Sequence, residues 1–345
     1  MRIIQAFQRI IFPIIQINWL KFFRLYDRNS EIVIISSLLN NKKFSSELFI
    51  WELGYIKKLI QLEKKFSYKT LNNQFHNKLI FWSPSIAFSK NKRKDYPYEL
   101  KEIALSQESK NSIYNSSAEI EWLENKFFMH KKFEKLKINT PKTWLYEKNT
   151  KVNYNELEYP LLYKGNHSSA SQDIFKFNNE DTLRGFLNNL LEDDKIILQK
   201  LVNMRRDARI TIAGGKIYSS FWRINPKKEW SVTASSKGSL IRFFKTDEGL
   251  EKTVLDVAKK CDLHTCGIDL CFENDDLNST PIILEISPRF SLNPNFDVSS
   301  KSYEFKEYKK KVFMRNSYRY LQTKEIMKVA GIFVEYNLSK SNEGF

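Results

Sequence analysis

Six short segments in the second half of the chain carry residue types that handle anions and hard cations. Lys126 sits in Glu124-Asn-Lys126, ahead of Thr140-Pro141, and Lys164 ends the apolar run Tyr159-Pro-Leu-Leu-Tyr-Lys164. Then come Ile196-Ile-Leu-Gln199-Lys200-Leu201-Val202, Arg206-Asp207-Ala-Arg209, Gly267-Ile-Asp269 and Leu284-Glu285-Ile-Ser287-Pro-Arg289. A planar guanidinium grips phosphate with two parallel hydrogen bonds, whereas lysine offers a mobile point charge. Asp269 and Glu285 end two neighbouring strand-like runs, and acids so close to apolar strand cores are costly without a cation. Magnesium is such a cation, because it prefers oxygen ligands and takes one or two carboxylates together with phosphates. Each segment alone has a plain alternative. A lysine ending an apolar strand snorkels to solvent, Asp207 pairs with Arg205 or Arg206 on the surface, and the arginines remain solvated.

These residues need elements to hold them. Ala118 to Leu136 repeats apolar residues at helical spacing and stops before Thr140-Pro141. Strand-like runs follow at Tyr159 to Tyr163, Lys195 to Leu201, Arg209 to Ile212, Lys216 to Trp222, Thr265 to Phe272 and Pro281 to Ile286, with helical stretches at Asp181 to Leu191 and Glu248 to Cys261. Gly214-Gly215 between two of the runs predicts a hairpin turn. Upstream, Glu31 to Ser37 and Lys78 to Trp82 suit buried strands around a helix in Leu48 to Phe66, while the polar stretch Ser106 to Ser117 reads as a linker or mobile loop. Alternation of this kind predicts α/β or α+β layers.

In order and spacing, the segments over residues 118 to 298 resemble the ATP-grasp superfamily, and within it carboxylate-amine ligases of the ribosomal-protein glutamate ligase and D-alanine-D-alanine ligase type. The resemblance implies an ATP-grasp fold at 118–300, behind a smaller N-terminal α/β domain at 1–117 and ahead of a basic aromatic tail at 301–345. It also implies an ATP- and Mg2+-dependent enzyme that makes an acyl phosphate from a carboxylate and passes the acyl group to an amine, releasing ADP. Lysines and magnesium would offset the repulsion between the triphosphate and the second anion.

By the same resemblance, Lys126 and Lys164 bind the phosphates, and Gln199, Lys200, Leu201 and Val202 form the adenine hinge. Asp207 accepts from the ribose hydroxyls, Asp269, Glu285 and Ser287 ligate the metal, and Arg209, Arg223 and Arg289 stabilise the transferring phosphoryl group. Three departures stand out. Lys200 cannot accept the adenine amino proton. Ser287 is a poorer ligand than the family's asparagine, for which Asn293 is a candidate substitute. The flap Gly165-Asn-His-Ser-Ser-Ala-Ser171 has one glycine, and His167 within it reads as solvent-exposed. The alternative these departures imply is an ATP-grasp protein that binds nucleotide or a polyanion without turnover.

The 345 residues suit about two domains. A 42% hydrophobic share excludes a disordered chain, and a net charge of +16 favours anionic partners, such as acidic small-molecule or peptide substrates. The tail from Lys301 to Tyr320 alternates basic and aromatic residues, a composition seen in single-strand nucleic-acid binders. A surface helix with its aromatic face packed is the favoured reading, and nucleic acid is disfavoured. Met1 to Leu20 is too often interrupted by polar residues for a membrane span or a signal peptide. Its spacing suits an amphipathic helix packed on the protein, with peripheral membrane contact the lesser reading. Three cysteines, all between Cys261 and Cys271, suit a reducing cytoplasm and buried thiols better than zinc.

Overall fold

Short runs of three or four residues build the N-terminal sheet. In a computed structural model of the chain, which describes residues 10–36, 46–70, 74–84, 96–147, 150–167, 173–190, 195–227, 229–295, 303–315 and 318–343, residues 10–14 are helical and α1 is Trp19–Leu25. Strand β1 (Ile32–Ile35) is buried throughout and lies between β2 (Ser67–Lys69) and β3 (Leu79–Phe81), with β4 (Ser112–Tyr114) beyond β3. All the pairings are parallel, which demands helical crossovers and cover on the faces. The crossovers include α2 (Ser46–Gln61) and α3 (Tyr96–Glu108). The expected linker at 106–117 is therefore corrected: α3 runs to Glu108, Ile113 is buried, and its strand completes the sheet. Three residues are too few to show alternation in the sequence.

The chain divides into two compact units, the first comprising 1–121, 290–296 and 309–345, the second 122–289 and 297–308. Helix α2 is apolar on nearly every side because it is covered twice: the sheet takes one face and the C-terminal helix, introduced below as α9, takes another. Gly54 permits that second contact, since a Cβ there would lie 2.6 Å from Ala330 Cβ. On the first unit's surface Ile15, Leu20 and Phe23 are 63%, 87% and 71% exposed. Among the described residues no helix is long and apolar enough to cross a membrane.

The second unit starts after α4 (Ser117–Glu121) with α5 (Lys126–Lys135), followed by a four-stranded antiparallel sheet of β5 (Thr143–Glu147), β6 (Leu161–Lys164), β7 (Ile174–Phe177) and β8 (Lys195–Lys200) in the order β5-β8-β6-β7, with α6 (Glu180–Asn188). One face of this sheet packs Trp144, Tyr146, Leu161, Tyr163, Phe177 and Leu198 around Leu183 of α6. Side chains alternate along strands, so Lys164 and Gln199 emerge from the opposite face.

A six-stranded sheet follows, with β9 (Arg206–Ala213), β10 (Lys216–Ile224), β11 (Leu240–Phe243), β12 (Cys266–Cys271), β13 (Ile282–Ser287) and β14 (Tyr303–Glu304) in the order β13-β12-β9-β10-β11-β14. Alternation sorts it into two chemistries. Ala208, Ile210, Ile212, Ile268, Leu270 and Ile286 pack under α7 (Glu248–Lys260), with Met129 and Phe133 of α5 in the same core. Asp207, Arg209, Arg223, Asp269 and Glu285 are left on the other face. The glycine turn behaves as predicted, with φ of 57° and 74° at Gly214 and Gly215.

The chain ends in α8 (Phe305–Arg315) and α9 (Tyr318–Glu343). Tyr308, Val312 and Tyr318 are buried, as a packed aromatic face requires, while Phe313 is exposed.

Candidate active site

Arg209, Asp269 and Glu285 stand in register across β9, β12 and β13. Residues directly opposite one another share a face, so the strand pairing alone sets two carboxylates and a guanidinium side by side. A bulge at Leu284, next to Glu285, interrupts the β12–β13 ladder; such bulges re-aim neighbouring side chains. Arg209 donates through Nε and Nη2 to the two oxygens of Asp269, the second bond being 2.8 Å. Arg223 grips Asp207 in the same bidentate way and reaches Asp269 at 3.0 Å. Burial pushes the Asp269 pKa upward, but the charges and hydrogen bonds of Arg209 and Arg223 outweigh it and hold the carboxyl at about 2. Burial likewise disfavours the charged form of Arg223, and Asp207 and Asp269 overcome that, so its pKa is raised.

The partner of Asp207 is thus Arg223, a strand away, and not the surface arginines at 205 and 206. Asp207 is only 3% exposed, and both of its carboxylate oxygens are held by Arg223. Arg206 instead donates to the Asp275 carbonyl.

Lys164 belongs to the same cluster although it comes from the other sheet. It is buried, and burial is the main reason its pKa falls to about 8; the Lys126 charge lowers it further, while Glu285 and Asp269 act to raise it. Both lysines and both acids therefore share one electrostatic neighbourhood inside the second unit. Lys126 is buried at the first turn of α5, whose first three amides are capped. Asn166, just past Lys164, accepts from the Lys126 amide on its carbonyl at 3.2 Å and from the Phe127 amide on Oδ1 at 2.8 Å, while Asn125 Oδ1 takes the Phe128 amide at 3.3 Å. His167 is corrected from solvent-exposed to anchored: Nδ1 meets the Glu124 carbonyl at 2.8 Å and Nε2 meets Asn166 Nδ2 at 2.9 Å. The remainder of the expected flap, 168–171, lies outside the described residues.

In the hinge, Gln199 is buried on the Lys164 face and donates to Thr143 Oγ1 at 2.9 Å. Lys200 faces the other way and is exposed, bound to Glu158 at 2.7 Å, so its inability to accept a proton does not bear on that face. The Lys200 and Leu201 amides are bonded to the Lys142 and Pro160 carbonyls. Among the described residues the amide of Val202, a buried residue, has no such bond.

Ser287 closes a turn of its own: it donates to the Arg289 carbonyl at 2.7 Å and accepts from the Arg289 amide at 3.2 Å. In the first unit, Asn293 Oδ1 accepts from Tyr318 at 2.8 Å. Among the described residues no three or more His, Cys, Asp or Glu side chains gather as a metal cage. Asp269 and Glu285 offer the pair of hard carboxylates that magnesium takes when phosphates complete its shell, and in that sense they fit the ion. The three cysteines are buried thiols.

Sequence reasoning overlooked His130 and Asn166. His130 is 3% exposed, and among the described residues neither ring nitrogen has a hydrogen-bond partner. Its position one turn after Lys126 on the same helix was the available signal. For Asn166, a capping residue next to a strand-end lysine was the cue, but its target is distant in sequence.

A family model described as the RimK-like ATP-grasp domain matches residues 123–298, just over half of the chain. The coenzyme gamma-F420-2:alpha-L-glutamate ligase of Methanocaldococcus jannaschii is 28% identical over 171 residues, covering 46% of this chain and 58% of that protein. Among solved structures, D-alanine–D-alanine ligase from Bacillus anthracis has a TM-score of 0.56 at 14% identity, over 91% of this chain and 99% of its own. A RimK-domain ATP-grasp protein from Sphaerobacter thermophilus has a TM-score of 0.51 at 10% identity, over 89% of this chain and 99% of its own. At these identities the likeness is one of fold.

Proposed function

This chain belongs to the RimK-like ATP-grasp family, and from that premise we propose that it is an ADP-forming ligase that joins a carboxylate to an amine. The observation that supports the reading is that the charges of Lys126, Glu285 and Asp269 all act on the buried Lys164 within the second unit. ATP brings about four negative charges, and the substrate carboxylate repels them. Fixed cations that need no reorganisation lower the cost of that encounter. Lys126 and Lys164 would hold the nucleotide phosphates, Gln199 and the Val202 amide would line the base site, and Arg209, Arg223 and Arg289 would steady charge on the transferring phosphoryl group. A magnesium ion at Asp269 and Glu285 would supply further positive charge beside the phosphates. Ser287, whose hydroxyl is engaged in its own turn, would contribute less. Attack of the carboxylate oxygen on the γ-phosphorus releases ADP, and the amine then displaces phosphate from the acyl group. No protein nucleophile is required.

The named relative is a glutamate ligase, which makes L-glutamate the first amine to offer, with acidic peptides and acidic small molecules as carboxylates in keeping with the net charge of +16. A cytoplasmic setting is supported by three buried cysteines that form no disulfide among the described residues. The experiment mixes protein, MgATP and pairs of acids and amines and separates the nucleotides. ADP and phosphate that require both co-substrates are expected. AMP with pyrophosphate would overturn the acyl-phosphate route, and nucleotide binding without turnover of any pair would favour a binding protein.

A further inference from the structure

Buried imidazoles normally satisfy at least one ring nitrogen, and among the described residues His130 satisfies neither. The ring packs edge-on against Phe133, with centroids 5.8 Å apart. The charges that act on it come from Lys126, one turn earlier on α5, and Lys164 at the end of β6; the acids Glu285 on β13 and Asp269 on β12 act on Lys164 in turn. Burial, reinforced by the two lysines, holds its pKa well below the ordinary histidine range. The ring is therefore neutral beside two cations, with unused hydrogen-bonding capacity, at the place where the proposed reaction brings in a polyanion.

We propose that His130 is a third cation beside Lys126 and Lys164: its ring is neutral without nucleotide and takes a proton from solvent when an anionic nucleotide lies against the two lysines. This rests on the ligase reading for the identity of the ligand. The physical reason is a reversal of field. Two nearby positive charges disfavour the imidazolium, and several negative charges in the same weakly screened interior favour it. Protonation also turns both ring nitrogens into donors. His130 adds charge beside the lysines without touching the reacting atoms, which makes it a positioning residue. By linkage, nucleotide affinity gains as pH falls between the free-state and bound-state values of the ring.

The test uses full-length protein carrying labelled histidine, with and without saturating MgADP or the non-hydrolysable MgAMP-PNP, across pH 5.5 to 7.5. The chain has four histidines, so the His130 signal is assigned with His130→Gln. The ring is expected to give neutral-imidazole nitrogen shifts without nucleotide and imidazolium shifts with it. Calorimetry in two buffers of different ionisation heat should show the wild type taking up about one more proton than His130→Gln near pH 6.5. Binding heat with a ring that stays neutral overturns this inference and leaves the ligase reading standing. Absence of any nucleotide binding overturns both. Should His130→Gln fail to fold, the wild-type shifts, assigned by through-bond correlation, still decide.

Discussion

Arg209 reaches across from β9 and holds both carboxylate oxygens of Asp269 on β12. Asp269 also takes Arg223 at 3.0 Å, so one buried acid balances parts of two cations. Asp269→Asn should therefore cost about 3–5 kcal/mol of unfolding free energy, the range for breaking a buried pair from one side. Urea titration measures it. Because the folded carboxyl sits at about 2, below its ordinary 3.8, this stabilisation is complete above about pH 4 and is lost as pH falls through about 2. A variant as stable as wild type at neutral pH would mean that the arginines are balanced by something else.

Glu285 is directly opposite on β13 but only half-buried, which separates chemistry from stability. Glu285→Gln should lower nucleotide-dependent turnover at least about 100-fold while changing stability by no more than about 1 kcal/mol. The paired measurements are ADP release at saturating MgATP and the urea midpoint. Loss of both together would assign Glu285 to the scaffold.

The charged face of the six-stranded sheet was legible in the sequence because period-2 alternation places Asp207 and Arg209, or Asp269 and its apolar neighbours, on fixed sides whatever the rest of the chain does. The fold class followed from the same runs and from the family resemblance. What was not legible depends on long-range partners. Nothing local in Arg206-Asp-Ala-Arg209 distinguishes an Asp207 that faces a ribose from one that faces Arg223, since that choice is made by the β9–β10 register. Ser112–Tyr114 looks like loop until β3 supplies its ladder. Gly54 inside a helix has no visible purpose until Ala330 arrives from the C-terminus.

Asn166 links the strand-end lysine to the helix that carries the other lysine, through bonds to the Lys126 and Phe127 amides. Asn166→Ala should lose the side-chain cap, worth about 0.5–2 kcal/mol. It should also raise KM for ATP more than it lowers kcat, because the phosphate cradle loosens before chemistry begins. Steady-state kinetics and a thermal melt together test this. A fall in stability with KM unchanged would make the cap structural only.

Lys164 gives the pH prediction with two opposite signs. Burial brings its pKa to about 8 in the empty protein, against 10.5 ordinarily. Between those values the unfolded chain binds the extra proton, so the contribution of Lys164 to stability rises with pH. Nucleotide binding runs the other way: an anion favours the charged amine, the site must take up a proton above about pH 8, and affinity weakens by up to about tenfold per pH unit. Lys164→Met should stabilise the nucleotide-free protein at pH 7, abolish the rise in stability between about pH 8 and 10.5, and reduce MgADP affinity by at least about 100-fold, since the buried charge proposed to hold the phosphates is removed. Melts across pH and calorimetric titration of wild type and variant give both slopes. Affinity that does not change from pH 7 to 9.5 would place the Lys164 amine away from the nucleotide.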